Sequence, residues 1–320
     1  MSHGSSKTVI TAIAGNFIVT IAKFIGFSLS GSSALLAEAV HSLADTSNQA
    51  LLYLGLRRSL RQADTDHHFG YGQEQYFWNL VSAVTIFFIG CVYTVMHAVD
   101  QVQHGHDPQL SLVAFAILGV AFLVEGYSFF VALMEFTRQR KEAGKTFKAY
   151  FVETRDPTTL AVLIEDSVAM LGLVLALVGM GMSMWLGSGI FDGIAAICIG
   201  LLMGFLAVFL AMVNRKYLLN RSDDHLTEIA TRVWANDKRV QGVHRLNSIV
   251  LSPTESVLMV ELELREEAMF ADMSAQEVER AVLFMRKLNS ARQDLEDNVM
   301  REAPSAKHIF VEFTLPKHVE

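Results

Sequence analysis

Six apolar stretches, each long enough to cross a bilayer as a helix, constrain this chain more than any other feature of its 320 residues. A hydrocarbon core of about 30 Å takes roughly 20 helical residues, and with no water to satisfy backbone groups such runs cross as helices. They fall near Thr8 to Phe27, Ser33 to Leu54, Phe77 to Val102, Leu110 to Phe136, Thr159 to Leu186 and Phe191 to Met212. Composition agrees. The chain is 52% hydrophobic and only 18% charged, with a mean hydropathy of +0.33, whereas soluble domains average roughly 25% charged.

Lys and Arg accumulate on the cytoplasmic side of membrane proteins. The second loop holds Arg57, Arg58 and Arg61, and the fourth holds Arg138, Arg140, Lys141, Lys145 and Lys148. The first, third and fifth loops (Ser28 to Ser32, Gln103 to Gln109, Gly187 to Ile190) contain neither residue. This asymmetry predicts both termini on the cytoplasmic side of the inner (cell) membrane. Met1 to Lys7 carries no cleavage signature and reads as the lead into the first span.

After about residue 220 the pattern changes, which divides the chain into a six-helix membrane domain (1–220) and a cytoplasmic α/β domain (221–320). Leu226 to Ala235 has helical periodicity; Gln241 to Val250 and Val257 to Leu264 read as strands. Ser274 with Glu277 three residues on opens a helix to Leu288 by the capping-box spacing, and His308 to Leu315 reads as a last strand. The formal charge of −7 argues against a nucleic-acid partner. Cys91 and Cys198 both fall inside spans, offer no disulfide or thiolate zinc motif, and read as packing residues.

Ionisable residues inside spans are costly and mark ion paths, proton relays or binding sites. In the second span His41 and Asp45 lie four apart, on one helical face about 6 Å along the axis, with Asn48 on the same face. In the fifth span Glu165 and Asp166 are adjacent, about 100° apart around the helix, so only one of the two faces a site on a given neighbour. Two helices bringing carboxylates to similar depth around one imidazole can enclose a divalent cation; the bland alternative is an interhelical hydrogen-bond pair. Lys23 in the first span can pair with a carboxylate, and Glu125 in the fourth can relay protons. Asp192 opens the sixth, where capping or charge pairing is the plain reading. In the second loop Asp64, Asp66, His67 and His68 precede Phe69-Gly70-Tyr71-Gly72, a set that reads either as zinc-type ligands or as a solvated turn.

The run SGSSALLAEAVHSLAD from Ser30 to Asp45 closely resembles the first loop and second span of the cation diffusion facilitator family. DTDHHFGYG from Asp64 to Gly72, Asp166, and FDGIAAICIG from Phe191 fit the same family, as does the α/β tail. HSLADT (41–46), TRDPTT (154–159) and LIEDSVAMLG (163–172) look most like its divergent zinc-transporter-nine branch. The resemblance implies a homodimeric proton-coupled exporter of divalent metal, with a ferredoxin-like, metallochaperone-like tail for dimerisation and regulation. It matches His41, Asp45 and Asp166 to metal ligands. Val162 stands where the family commonly has an imidazole, which leaves the fourth position to Glu165, Asn48 or water. Asp64 and His67 match loop ligands, with Tyr71 in place of a histidine. His244 matches a tail ligand, whereas Glu261 and Glu312 stand where histidines are common. Arg155 and Asp156, just before the fifth span, are placed to pair or gate.

Metal and protons compete for the same lone pairs, since ligands must be deprotonated to bind. One nitrogen and two or more oxygens suit Zn²⁺, favoured by the branch resemblance, and also Mn²⁺, Fe²⁺ or Co²⁺. The metal is cargo; no prosthetic group is expected. An intramembrane metalloenzyme would need a motif such as His-Glu-x-x-His, and none occurs. A membrane protein that senses metal or acts as a scaffold without transporting is the remaining alternative.

Overall fold

A computed structural model describes residues 3–104, 112–142, 144, 146, 150, 157–252, 254–303, 305 and 309–313, with backbone alone for 3–12, 14, 157–162, 266 and 267. It divides into two compact units, Met1–Asp223 with Ser248–Val257, and Asp224–Asn247 with Leu258–Glu320. The first contains six long helices: α1 (His3–Ser30), α2 (Ser33–Ser59), α3 (Glu74–His104), α4 (Leu112–Glu142), α5 (Pro157–Leu186) and α6 (Ile190–Leu218). Pro157 stands at the first helical position of α5, where a missing backbone N–H leaves nothing unsatisfied. Residues Ile86–Tyr93 of α3 are wound as a π-helix.

Four of these helices are long and apolar enough to cross a membrane along their described residues: α3, α4, Leu163–Leu186 of α5, and α6. In α1 the described apolar segment is Gly15–Ser30. The second expected span is different in kind. Every residue from Ser32 to Ser42 is buried, and α2 packs against α1, α3, α5 and α6. Its solvent is protein, so it carries Glu38, His41, Asp45 and Asn48 without meeting the apolar criterion that lipid-facing helices obey. The outer surfaces are apolar instead: Ile18, Ile25 and Leu29 on α1, Leu123 and Phe130 on α4, Leu201, Phe205 and Met212 on α6 are all exposed. The chain is a multi-pass membrane protein.

The turn between α1 and α2 is set by Gly31, whose φ of 66° suits a residue without a Cβ. Ser32 caps α2, its Oγ accepting from the Leu35 amide at 3.1 Å. Asp192, in the first turn of α6, completes that cap from across the bundle. Its Oδ1 accepts from Ser32 Oγ at 2.5 Å, and its Oδ2 from the Ser33 amide at 2.6 Å and from Gln101 Nε2 at 3.3 Å. A carboxylate at a helix amino end answers both the orphan amides and the positive end of the dipole, so the interfacial capping read from the sequence is an interhelical one. Beyond Asp192, α6 approaches α3 through glycines. A Cβ on Gly193 would strike Val102, on Gly200 it would stand 2.8 Å from Val95, and on Gly204 2.7 Å from Cys91 Sγ. Small residues of this kind let membrane helices close up.

After α6, α7 (Asp224–Ala235), β1 (Val240–Ser252), β2 (Glu255–Leu264), α8 (Glu266–Met269) and α9 (Ala275–Glu302) follow in order, Ser248–Val257 of the hairpin counting with the first unit and the rest with the second. The capping box forms as expected, Ser274 accepting from the Glu277 amide and the Glu277 carboxylate from the Ser274 amide. One expectation fails. Residues 309–313, inside the expected strand His308 to Leu315, carry no strand, and among the described residues the sheet has two strands, β1 and β2. Alternating side chains supply a face, but a strand needs a backbone edge to pair with, and residues 309–313 join neither edge.

We expect Asp192→Ala to lower stability by about 2 kcal/mol, the cost of stranding buried donors, with Asp192→Asn in between; denaturant unfolding of the detergent-solubilised protein measures both.

Candidate functional site

Glu38, His41, Asp45 and Asn48 follow one another on α2 at spacings of three, four and three, so they form a single stripe along the helix. His41 is buried, and its Nε2 lies 3.3 Å from Asp45 Oδ2. Asn48 is held at both ends of its amide, donating from Nδ2 to Glu165 Oε1 at 3.0 Å and accepting at Oδ1 from Ser82 Oγ at 2.7 Å. The adjacent carboxylates of α5 part company as the helical geometry requires. Glu165 turns to α2, whereas Asp166 turns to α4 and accepts from Ser128 Oγ at 3.1 Å.

These groups share one electrostatic environment. Asp45 is within Coulombic reach of Asp166, Glu125, Lys23 and Glu38; Glu165 is within reach of Asp45, His41 and Asp166. The structure thus brings His41, Asp45, Asn48 and Glu165 together between α2 and α5, with Asp166 on the α4 side of α5. Among the described residues, no three His, Cys, Asp or Glu side chains gather closely enough to hold one ion in this conformation. The side chain of Val162 lies outside the described residues, as do Arg155 and Asp156.

A second ionic centre adjoins the first. Lys23, fully buried on α1, donates to Glu38 Oε2 at 2.9 Å, Glu125 Oε1 at 2.8 Å and Ser42 Oγ at 2.8 Å. Lys23 therefore pairs with a carboxylate, as its position in a span suggested, and Glu125 is that pair's member from α4. Glu38 escaped the sequence reading. Its signal was present: it stands three residues before His41, on the face already singled out.

The loop between α2 and α3 closes on Asp64. Its Oδ1 accepts from the amides of Asp66 and His67 at 3.1 and 2.8 Å, and its Oδ2 from the Tyr71 phenol at 2.7 Å. His67 Nδ1 is 3.6 Å from Asp64 Oδ1, its ring stacks 4.1 Å from that of Tyr71, and Arg61 covers Tyr71 at 4.1 Å. The bond from Tyr71, then that from the His67 amide, holds the Asp64 carboxyl down to about 2. Tyr71, standing where a third ligand was expected, is thus a hydrogen-bond donor to the first. In the second unit His244 Nε2 meets Glu263 Oε2 at 2.9 Å, across β1 and β2; Glu261 and Glu312 are exposed.

A carboxyl depressed in the folded loop stabilises it above the unfolded value near 3.9, and that contribution is lost as pH falls toward 2. We expect Tyr71→Phe to raise the Asp64 titration toward the ordinary range, as read by NMR of ¹³C-carboxyl-labelled aspartate.

Residues 9–219 match the model of the cation efflux transmembrane domain. Metal tolerance protein C4 of Arabidopsis thaliana is 36% identical over 250 residues, 78% of this chain and 55% of that protein. The human mitochondrial proton-coupled zinc antiporter SLC30A9 is 34% identical over 242 residues, 75% of this chain and 43% of its own length. Magnetosome protein MamB of Magnetospira sp. is 27% identical over 219 residues, 68% of each chain. The chain spans about half the length of the first two. The matched segment runs from α1 to the end of α6 and contains the whole His41–Asp166 region, and this chain belongs to the cation efflux family.

Proposed function

We propose that this protein exports divalent metal cations in exchange for protons, with Zn²⁺ the favoured cargo. The observation that carries this reading is the His41–Asp45 pair on an enclosed helix, on one stripe with Asn48, whose amide bonds Glu165 of α5. Carboxylates withheld from water need a positive charge to offset them, and a divalent ion or protons, shared with the neighbouring imidazole, can supply it in turn. In this reading His41 and Asp45 ligate the ion with the carboxylates of α5: Asp166, which leaves Ser128 and turns toward α2 in the loaded conformation, with Glu165, held toward α2 by Asn48, completing the set. Loading requires deprotonated ligands, so proton entry from the far side expels the metal. In the same reading Glu125, three residues before Ser128 on α4, passes protons toward Asp166 through Oε2, the oxygen that Lys23 does not hold. Arg155 and Asp156 would gate from the cytoplasmic end of α5.

The similarity to a zinc antiporter supports Zn²⁺; the single imidazole also admits Mn²⁺, Fe²⁺ and Co²⁺. We also propose six spans with both termini cytoplasmic, in the inner (cell) membrane; the charge asymmetry of the loops and the six long helices support the number and the orientation. We further propose a homodimer joined through a ferredoxin-like, metallochaperone-like tail at 221–320, supported by its α-β-β-α order. Asp64 and His67 would serve as an accessory loop site. The reading is of a transporter, not an enzyme.

Purified protein in liposomes given a pH step should take up Zn²⁺ with counterflow of protons. Absence of flux with Zn²⁺, Mn²⁺, Fe²⁺ and Co²⁺ would leave the metal-sensing or scaffold alternative. Asp45→Asn and Asp166→Asn should each reduce uptake to background while the protein remains folded. For Asn48→Ala, which frees Glu165 without removing a charge, we expect about a tenfold weaker apparent affinity in the same assay.

A further inference from the structure

Lys23, Glu38 and Glu125 are not needed to build the His41–Asp45 site, and taking three ionisable groups out of water is costly. Their arrangement is that of a filled cation site. The ammonium has three hydrogens and meets three oxygens, from Glu38 and Ser42 on α2 and Glu125 on α4. Two carboxylates carry one negative charge more than the ammonium neutralises. Each keeps a buried oxygen with no hydrogen-bond partner, Glu38 Oε1 and Glu125 Oε2. The Glu38 side chain is 0% exposed, and its free oxygen is turned to α5, where a Cβ on Gly172 would stand 2.5 Å from it. The absence of a side chain at Gly172 leaves that oxygen its space.

The donors also have a definite chemistry. Two carboxylates and a hydroxyl form an all-oxygen set, which suits hard cations such as Mg²⁺, Ca²⁺ and Mn²⁺, whereas the neighbouring pair offers an imidazole nitrogen. The sites lie one helical turn apart on α2, Glu38 preceding His41 by three residues.

We propose that Glu38, Glu125 and Ser42 form a second, all-oxygen cation site, kept closed by the Lys23 ammonium as a tethered counter-ion, so that the transported ion is confined to the nitrogen-containing site around His41. The part of this that concerns transport rests on the function proposed above; the existence of the closed site does not. Lys23 then acts as a selectivity residue, since a hard cation finds its preferred donor set already occupied from within the chain. Remove the ammonium, and the two carboxylates need a new cation to stay buried.

The test is metal stoichiometry. Lys23→Met keeps the length of the side chain and removes its charge. Equilibrium dialysis of Mn²⁺ against the purified full chain in detergent should show one more bound Mn²⁺ per chain in Lys23→Met than in wild type. Lys23→Arg, and the triple variant Lys23→Met/Glu38→Gln/Glu125→Gln, should both return to the wild-type number. If Lys23→Met is unfolded alone, Mn²⁺ should restore its thermal transition. A folded Lys23→Met with the wild-type Mn²⁺ number, or an unfolded one that Mn²⁺ does not rescue, would overturn the proposal. Because the readout is binding, it is decided whether or not the wild-type protein moves Zn²⁺, so the two readings fail separately.

Discussion

A carboxylate or an imidazole at the depth of a membrane is tolerable only with a partner, and the helices of the first unit are arranged to meet that demand on α2. Along one stripe this helix carries Glu38, His41, Asp45 and Asn48, and each has a polar or charged neighbour, although Glu38 Oε1 and His41 Nε2 make no hydrogen bond. Lys23 of α1 meets Glu38, His41 and Asp45 meet each other, and Asn48 spans from Ser82 of α3 to Glu165 of α5. Enclosure by α1, α3, α5 and α6 is what makes such a helix possible within a shell of apolar ones.

The same demand sets the ends and the spacing of the bundle. The amino end of α2 is buried, so its orphan amides cannot turn to water, and the Asp192 carboxylate supplies acceptors for them. That bond draws the first turn of α6 against the start of α2. Glycines at 193, 200 and 204 then let α6 lie close to α3, which holds the wall from which Ser82 and Gln101 reach inward. Apolar packing in this region is spread over small side chains such as Ala34, Ala37, Ala176 and Ala196; hydrogen bonds supply direction.

Charge balance is the connection between this architecture and the proposed chemistry. A stripe that bears more carboxylates than fixed cations holds a place for exchangeable positive charge, and where Lys23 provides a fixed one, that place is taken. Two neighbouring centres thus differ in donor set and, in the function proposed, in what offsets them: a lysine in one, exchangeable metal or protons in the other.

Much of this was legible along the chain. Run lengths marked the helices, the spacing of His41, Asp45 and Asn48 marked a common face, and the 100° step between Glu165 and Asp166 implied that they would serve different neighbours, as they do. Capping chemistry at Ser274 was equally local, whereas the helix that Asp192 caps, α2, lies 159 residues away in sequence. What remained hidden involves partners distant in sequence: that Lys23 joins Glu38 and Glu125, 15 and 102 residues away, that Tyr71 is a donor to Asp64, and that residues 309–313 find no edge to pair with. Periodicity and residue chemistry are properties of one segment, so the sequence by itself determined which helices form and which faces are polar. Which charge neutralises which depends on how the helices cross, and only the tertiary structure, by placing an ammonium among three oxygens, decided where a cation is already built in.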